Sequence, residues 1–134
     1  MSANRTTPRR VSLTFDNGPT PGVTDKVLGA LADRRVMATF FLVGDQLRQP
    51  GARELAEAAA AAGHRIGHHT ATHTLQLGAA DDPEAAVAAE IAALEHDIDL
   101  LAGTSVTRGE RLFRPYAAGA CWTSACSARP RSST

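Results

Sequence analysis

Two histidines, His69 and His73, lie four residues apart in the segment His-Thr-Ala-Thr-His. On one helical turn, or on a loop wound like one, both imidazoles can reach a single metal ion. Imidazole suits zinc, cobalt, nickel or iron better than magnesium or calcium. Solvated loop histidines give the same pattern, and His64 and His68 have the same spacing. By itself the pair therefore leaves a metal site and ordinary loop histidines both open.

A carboxylate, an amide and a guanidinium are the other groups that could take part in chemistry. Asp16 and Asn17 lie in the turn sequence Asp-Asn-Gly-Pro, which follows an apolar segment. Arg114, beside Pro115, could orient a carboxylate through its fork of donors. Each group has a plain structural alternative, because Asp-Asn-Gly-Pro is a favourable turn and arginine is common at surfaces. Their order and their setting in the chain carry more weight than any one of them.

Four segments have the composition of strands. Residues 11–15 alternate apolar and polar side chains and end in the turn at Asp16. Residues 38–43 are a nearly continuous apolar run, which is typical of a strand buried on both faces in a parallel sheet. Residues 65–67 form a short extended segment before the histidines, and residues 111–116 predict a last short strand.

Two helices are predicted between the first three strands. Thr24 is expected to cap the first helix. The apolar face of that helix consists of Val27, Leu28 and Leu31. The second helix covers residues 53–62 and ends at Gly63 in the C′ position.

A third helix is predicted after the histidines. Asp82 is its expected N-cap, Pro83 lies in its first turn, and Gly103 ends it. One apolar stripe at helical spacing consists of Val87, Ile91, Leu94, Ile98 and Leu101.

Strands that alternate with helices indicate an α/β protein with a parallel sheet. In such folds the functional loops lie at the carboxyl ends of the strands. Asp16 and Asn17 follow the first strand, the histidines follow the third, and Arg114 lies at the end of the fourth. We therefore expect these groups to converge on one rim of the sheet.

Three segments form an ordered set: residues 13–19, Leu-Thr-Phe-Asp-Asn-Gly-Pro; residues 63–73, which end in His-Thr-Ala-Thr-His; and residues 113–116, Phe-Arg-Pro-Tyr. They resemble the first three motifs of the NodB-type polysaccharide deacetylases (NodB homology domain, carbohydrate esterase family 4). Those motifs usually read Thr-Phe-Asp-Asp-Gly-Pro, His-[Ser/Thr]-x-x-His and Phe-Arg-Pro-Pro-Tyr. Residues 38–44 are similar to the second strand of these enzymes. The resemblance covers about residues 11–116 and favours His69 and His73 over the other histidine pair.

The resemblance implies the N-terminal portion of a distorted (β/α) barrel, left incomplete, since a full barrel needs on the order of 200 residues or more. Residues 11–116 would form a partial NodB-like deacetylase domain after a flexible N-terminus at residues 1–10. Residues 117–134 contain no acidic residue and no apolar periodicity, so we expect an aberrant, disordered tail there. A frameshift or early stop after the third motif would explain this change of character.

Carried over by position, the resemblance implies that His69 and His73 bind a divalent metal, usually zinc. The family's third ligand is the second aspartate of the first motif, and Asn17 occupies that position here. An amide oxygen can coordinate a metal but brings no negative charge. Weaker metal binding than in a carboxylate site is therefore expected.

The resemblance also implies catalytic roles. Asp16 would be the general base that takes a proton from a metal-activated water. Arg114 would hold Asp16 in place, and the backbone amide of Tyr116 would help stabilise the oxyanion. Thr70 would support the metal loop. The family's later motifs, including a Leu-x-His that supplies a general acid, have no counterpart here, since His96 precedes the third motif.

The function that the resemblance implies is a hydrolase that removes acetyl groups from N-acetylated sugars of a polysaccharide by metal-assisted water attack. Activity would be impaired, because loss of the general acid alone should cost about two to four orders of magnitude in rate. Two alternatives remain open. One is a non-catalytic glycan-binding remnant, and the other is an amidohydrolase that acts on a small non-glycan amide.

Composition limits the partners. The 14 basic and 14 acidic side chains balance, which gives no reason to expect nucleic acid or an anionic membrane surface. No apolar run is long enough for a signal peptide or a membrane span, so a cytoplasmic location is expected. The expected partners are an N-acetylated glycan and, through an open barrel edge, a second copy of the chain.

Overall fold

The computed structural model describes residues 10–102 and 111–116. The predictions for the N-terminus before residue 10, for the helix end at Gly103 and for residues 117–134 lie outside these described residues. In the described part of the chain, no helix is long and apolar enough to cross a membrane.

Three parallel strands form the sheet, in the order β1 (Leu13–Gly18), β2 (Ala38–Leu42) and β3 (Arg65–His68). Every residue of β2 is buried, as predicted for the apolar run at residues 38–43. Because β2 lies between two parallel neighbours, its backbone groups can pair on both edges, while burial on both faces suits its mainly apolar side chains. The predicted parallel α/β sheet is confirmed.

The first strand differs from the prediction of residues 11–15. β1 begins at Leu13, which pairs with Ala38, the first residue of β2, so Val11 precedes the paired residues. The strand also continues through the expected turn to Gly18. An irregularity in register between Phe15 and Gly18 permits this, with Asn17 at a φ of 67°. Asparagine is among the residues that tolerate this left-handed conformation best.

Helix α1 (Thr24–Arg34) buries Leu31 and half-buries Val27 and Leu28, which confirms its predicted apolar face. The predicted N-cap is wrong, because Thr24 is the first helical residue. Its hydroxyl instead accepts a hydrogen bond from the backbone N–H of Thr20, 2.8 Å away, in the preceding turn.

Two helices connect β2 to β3. The short α2 (Gly44–Leu47) directly follows β2 and was not predicted, since four residues are too few to show a helical period. Helix α3 (Ala52–Ala61) follows it and buries four alanines. Gly63 has a φ of 89°, which confirms its predicted position just beyond the helix.

The third helical region has three parts: α4 (Pro83–Val87), a π-helical turn (Ala88–Ala92) and α5 (Ala93–Ala102). The predicted N-cap is confirmed, because Asp82 Oδ1 accepts a hydrogen bond from Ala85 N–H at 3.0 Å. The predicted stripe is wrong at its N-terminal end, where Val87 is 46% exposed. A π-turn adds one residue to the helical repeat. The buried positions before α5 therefore shift by one residue, to Ala86 and Glu90.

The last predicted strand, residues 111–116, is reduced to a single bridge in which Phe113 pairs in parallel with His68. His68 N–H donates to Leu112 O at 2.8 Å, and Arg114 N–H donates to His68 O at 2.9 Å. This short pairing extends the sheet beyond β3. It also places Arg114 at the carboxyl edge that the histidine segment shares.

The core lies between the sheet and the helices. It is built from apolar residues of the sheet and of α1, α3 and α5: Leu31, Phe40, Leu42, Ala56, Ala59, Ile66, Leu94, Ile98 and Leu101. The alanines of α3 let that helix approach the sheet closely.

Candidate active site

The predicted groups meet at the carboxyl edge of the sheet. Arg114 Nη1 lies 2.7 Å from Asp16 Oδ1, although the two residues are far apart in the sequence. His69 Nε2 lies 3.9 Å from the other oxygen, Asp16 Oδ2. The carboxylate of Asp16 therefore has an arginine on one side and an imidazole on the other, which is the convergence that a parallel sheet predicts.

Arg114 is fixed by three contacts. Besides Asp16, its Nη1 donates to Thr14 Oγ1 at 3.1 Å. The guanidinium carbon lies 4.2 Å from the centre of the Phe41 ring, which is a favourable cation–π distance. Gly67 makes room for that ring, since a Cβ at this position would lie 2.7 Å from Phe41. The arginine is thus held between an aromatic ring and the carboxylate that it orients.

His69 is buried, and a backbone carbonyl sets its tautomer. Nδ1 lies 2.6 Å from the carbonyl oxygen of Arg114, which can only accept a hydrogen bond. Nδ1 must therefore carry the proton. In the neutral ring the lone pair is then on Nε2, the atom that faces Asp16. A ring nitrogen prepared in this way is typical of metal-binding histidines.

His73 lies beside His69, with 4.7 Å between the ring centres. The ring of Tyr116 packs edge-on against His73 at 4.5 Å. Burial lowers the pKa of His73, and the neighbouring His69 lowers it further. The neutral imidazole that this favours is the form that can bind a metal.

The other histidine pair has structural roles. His64 Nδ1 accepts the backbone N–H of Ala38 at 3.2 Å, and the His64 ring packs against Phe40 in the core. His68 Nδ1 accepts the N–H of Thr70 at 3.0 Å, and its Nε2 donates to Ile91 O at 3.0 Å. Burial lowers the pKa of both residues. Both nitrogens of His68 are occupied, so this pair does not offer a site for an ion.

The segment from His69 to His73, called here the metal loop after the role expected of it from the sequence, has an uncommon backbone. Thr70 and His73 have φ values of 69° and 58°. A positive φ is especially unusual for a β-branched residue such as threonine. The fully buried Thr70 side chain supports the loop from within, because its Oγ1 accepts the N–H of His73 at 3.2 Å.

Backbone N–H groups at the start of α2 also hold the metal loop. Gly44 N–H donates to Thr70 O at 3.2 Å, and Asp45 N–H donates to Ala71 O at 2.8 Å. A Cβ at Gly44 would lie only 2.9 Å from Ala71 O. Glycine is therefore needed for the backbones to approach this closely.

A third metal ligand would have to be a group other than a histidine, cysteine, aspartate or glutamate side chain. Among residues 10–102 and 111–116, no three His, Cys, Asp or Glu side chains are arranged to hold a metal ion. Asn17, at the end of β1 next to Asp16, has an amide oxygen that can serve. Its positive φ also gives it a purely conformational role.

One group that contacts the metal loop was not predicted. Glu90 is 3% exposed and accepts hydrogen bonds from Thr72. Its position four residues before Leu94 in the helix could have indicated burial. The predicted stripe passed instead through Ile91, because a π-turn has no sequence signature.

A family model described as polysaccharide deacetylase matches residues 3–120. Over 65 residues the chain is 43% identical to a chitooligosaccharide deacetylase of Rhizobium leguminosarum bv. trifolii, covering 48% of this chain and 29% of that protein. Over 70 residues it is 44% identical to the peptidoglycan-N-acetylglucosamine deacetylase PgdA of Listeria monocytogenes serotype 1/2a, strain 10403S, covering 50% of this chain and 14% of that protein. The matches thus span less than a third of these two relatives.

Solved structures give the same result for the fold. A family 4 carbohydrate esterase from Bacillus anthracis superimposes with a TM-score of 0.62 and 29% identity, over 78% of this chain and 47% of that one. A family 4 acetyl xylan esterase from Clostridium thermocellum, solved with a cobalt ion, superimposes with a TM-score of 0.58 and 28% identity, over 78% of this chain and 47% of that one. The predicted fold, part of the α/β architecture of these enzymes, is confirmed.

Proposed function

The chain belongs to the polysaccharide deacetylase family, and on that basis we propose that it is a hydrolase that removes acetyl groups from N-acetylated sugars of a glycan. The observation that carries the proposal is the meeting of Asp16, Arg114 and His69 at one edge of the sheet. A carboxylate held by arginine beside a prepared imidazole suits the hydrolysis of an amide by an activated water.

His69 and His73 are the proposed ligands of a divalent metal, and Asn17 is the proposed third ligand. The fit rests on the donor set, because Nε2 of His69 has its lone pair available and the neighbouring His73 favours its neutral form. Zinc or cobalt suits two imidazoles and one oxygen. When bound, such an ion polarises an amide carbonyl and lowers the pKa of a water.

Asp16 is the proposed general base. Its Oδ2 faces the edge where the attacking water would lie, while Oδ1 is held by Arg114. Holding one oxygen fixes the direction in which the other accepts a proton. The backbone N–H of Tyr116, the residue that packs on His73, is the proposed donor to the oxyanion.

An N-acetylated glycan is the proposed substrate class. The names of two relatives, a chitooligosaccharide deacetylase and a peptidoglycan-N-acetylglucosamine deacetylase, support this choice. The chemistry common to both names is the acetamido group of an N-acetylated sugar, so that group is the proposed site of hydrolysis.

The test is metal content measured together with acetate release. The full chain would be loaded with zinc or cobalt and assayed on N-acetylglucosamine oligomers, beside His69→Ala and His73→Ala. His96→Ala, which removes an exposed histidine on α5, is the matched control. We expect bound metal and acetate from the chain and from the control, with both lost in the two loop variants. Metal content equal in all four proteins would overturn the proposed ligands.

A non-catalytic glycan-binding role is the second candidate, and Asn17 favours it. An amide in place of a carboxylate leaves more of the ion's charge uncompensated, which weakens the metal site on which hydrolysis depends. Binding of N-acetylglucosamine oligomers without acetate release, in the metal-loaded chain, would select this role. Acetate or ammonia released only from small non-glycan amides would select an amidohydrolase of a different substrate class.

A further inference from the structure

We infer that Glu90 is a positioning residue for the metal loop, and that the π-turn Ala88–Ala92 brings it there. The inference deepens the proposed function and rests on it, because it concerns the spacing of His69 and His73. Glu90 lies on a helix well away in sequence from the loop.

The carboxylate of Glu90 accepts two hydrogen bonds from one residue of the loop. Thr72 N–H donates to Oε2 at 2.9 Å, and Thr72 Oγ1–H donates to Oε1 at 2.5 Å. Thr74 Oγ1 in turn lies 2.6 Å from Thr72 Oγ1. Both carboxylate oxygens are therefore committed to holding the middle of the loop.

Backbone carbonyls of the same π-turn complete the attachment. Glu90 O accepts the N–H of Ala71 at 2.8 Å. Ile91 O accepts from Nε2 of His68, the residue just before the loop, at 3.0 Å. In a regular α-helix such carbonyls accept hydrogen bonds from N–H groups four residues later. The wider π-turn interrupts this pattern and can leave carbonyls available to donors outside the helix. Together with the two donors of Thr72, four donors from residues 68–72 thus end on this one turn of helix.

The burial of Glu90 needs a reason, because an apolar residue would suit the core better. It is the one buried acidic residue among those that the structure describes, at 3% exposure. Burying a carboxylate is unfavourable unless its oxygens are hydrogen-bonded. The loop that it holds contains two residues with positive φ, Thr70 and His73. Backbone conformations of this kind persist where several surrounding contacts hold them in place.

The contacts divide the loop into three fixed parts. His69 is held by the carbonyl of Arg114, and His73 N–H is held by the hydroxyl of Thr70. Glu90 fixes two of the peptide units between these histidines, through the N–H groups of Ala71 and Thr72. Loss of this middle contact should therefore change the spacing of the two imidazoles without removing either one.

The test compares Glu90→Gln with the unchanged chain in a cobalt titration followed by visible absorbance. Glutamine keeps the size of the side chain but removes its negative charge, so the hydrogen bonds from Thr72 are no longer charge-assisted. Its NH2 group also meets Thr72 Oγ1, which must then accept a hydrogen bond instead of donating one. We expect cobalt affinity to fall by about 10- to 100-fold, as is usual when partners of metal ligands are lost. Glu57→Gln, the same change at an exposed site on α3, should leave the affinity unchanged.

A second readout uses the metal-free protein. Amide hydrogen exchange at Ala71 and Thr72 should become faster in Glu90→Gln, while exchange at Phe40 in β2 should not change. Ile98→Val lowers stability through the core and not through the loop. It should leave cobalt affinity unchanged and should not speed exchange at Ala71 and Thr72 more than at other amides.

The outcomes separate this inference from the proposed function. Equal cobalt affinity in Glu90→Gln and the unchanged chain would overturn the positioning role while leaving the metal site intact. Unchanged exchange at Ala71 and Thr72 would overturn it as well. No cobalt binding by the unchanged chain, with faster exchange in the variant, would overturn the proposed metal function and leave the loop attachment standing.

Discussion

At the scale of single residues, backbone groups prepare the side chains of the site. The carbonyl of Arg114 selects the tautomer of His69, and Thr70 fixes the amide of His73. Residue types and spacing predicted which side chains meet at the edge of the sheet. They could not predict the tautomer, because its partner is a carbonyl 45 positions away in the sequence.

Asn17 has two separable roles at this scale, as a proposed ligand and as a residue at positive φ. Asn17→Asp should raise the affinity for zinc by about tenfold or more, because a carboxylate adds a negative charge next to the ion. Asn17→Gly keeps the backbone conformation and removes the ligand, so it should weaken zinc binding. Isothermal titration calorimetry measures both changes. Equal zinc affinities in the three proteins would show that residue 17 does not bind the metal.

His64 predicts the direction of a pH dependence of stability. Burial lowers the pKa of His64 below its ordinary value of 6.5, so the unfolded chain binds the proton more readily than the folded one. The contribution of neutral His64 is therefore complete above pH 6.5 and is lost as the pH falls from 6.5 towards the lowered pKa.

The matched variant for this prediction is His64→Asn. The asparagine oxygen can still accept the N–H of Ala38 but does not titrate. Urea unfolding at a series of pH values measures the free energy of unfolding of both proteins. The loss of stability on acidification should be smaller in His64→Asn. If the free energy of unfolding fell equally with pH in both proteins, His64 would not be the group that titrates below pH 6.5.

At the scale of elements, close approach of two backbones positions the metal loop. Gly44→Ala should destabilise the protein by about 1–3 kcal/mol, because its Cβ would meet the backbone of Ala71 and force the loop away from α2. Gly29→Ala on α1 is the matched control, since a Cβ there has no atom within 4 Å. That change should stabilise the chain by about 0.5–1 kcal/mol. Thermal unfolding of the two variants measures this contrast, and a similar loss of stability in both would contradict it.

Sequence periodicity predicted most elements but not their irregular parts. The apolar run of β2 and the Asp82 cap were predictable because each depends on neighbouring residues. The bulge of β1 and the π-turn were not, because each is stabilised by contacts with distant segments. These irregular parts position Asp16 and Glu90, so the least predictable backbone lies next to the site.

At the scale of the whole molecule, the described sheet has an open side at β1. Val11, which precedes this strand, and Leu13, its first residue, are 85% and 41% exposed. Unpaired strand edges with exposed apolar residues favour pairing with another chain. We therefore expect self-association that increases with protein concentration. Leu13→Lys should reduce it, as measured by sedimentation velocity. A monomer at all concentrations would contradict the prediction.

The central claim is that the edge formed by Asp16 and His69 hydrolyses N-acetyl groups with the help of a metal. Acetate release from N-acetylglucosamine oligomers, measured with the zinc-loaded full chain and with Asp16→Asn, tests it most directly. Asp25→Asn, which removes an exposed carboxylate on α1, is the control. We predict release by the chain and the control, with the rate lower by about two to four orders of magnitude in Asp16→Asn. No release by the zinc-loaded chain, or undiminished release by Asp16→Asn, would contradict the claim.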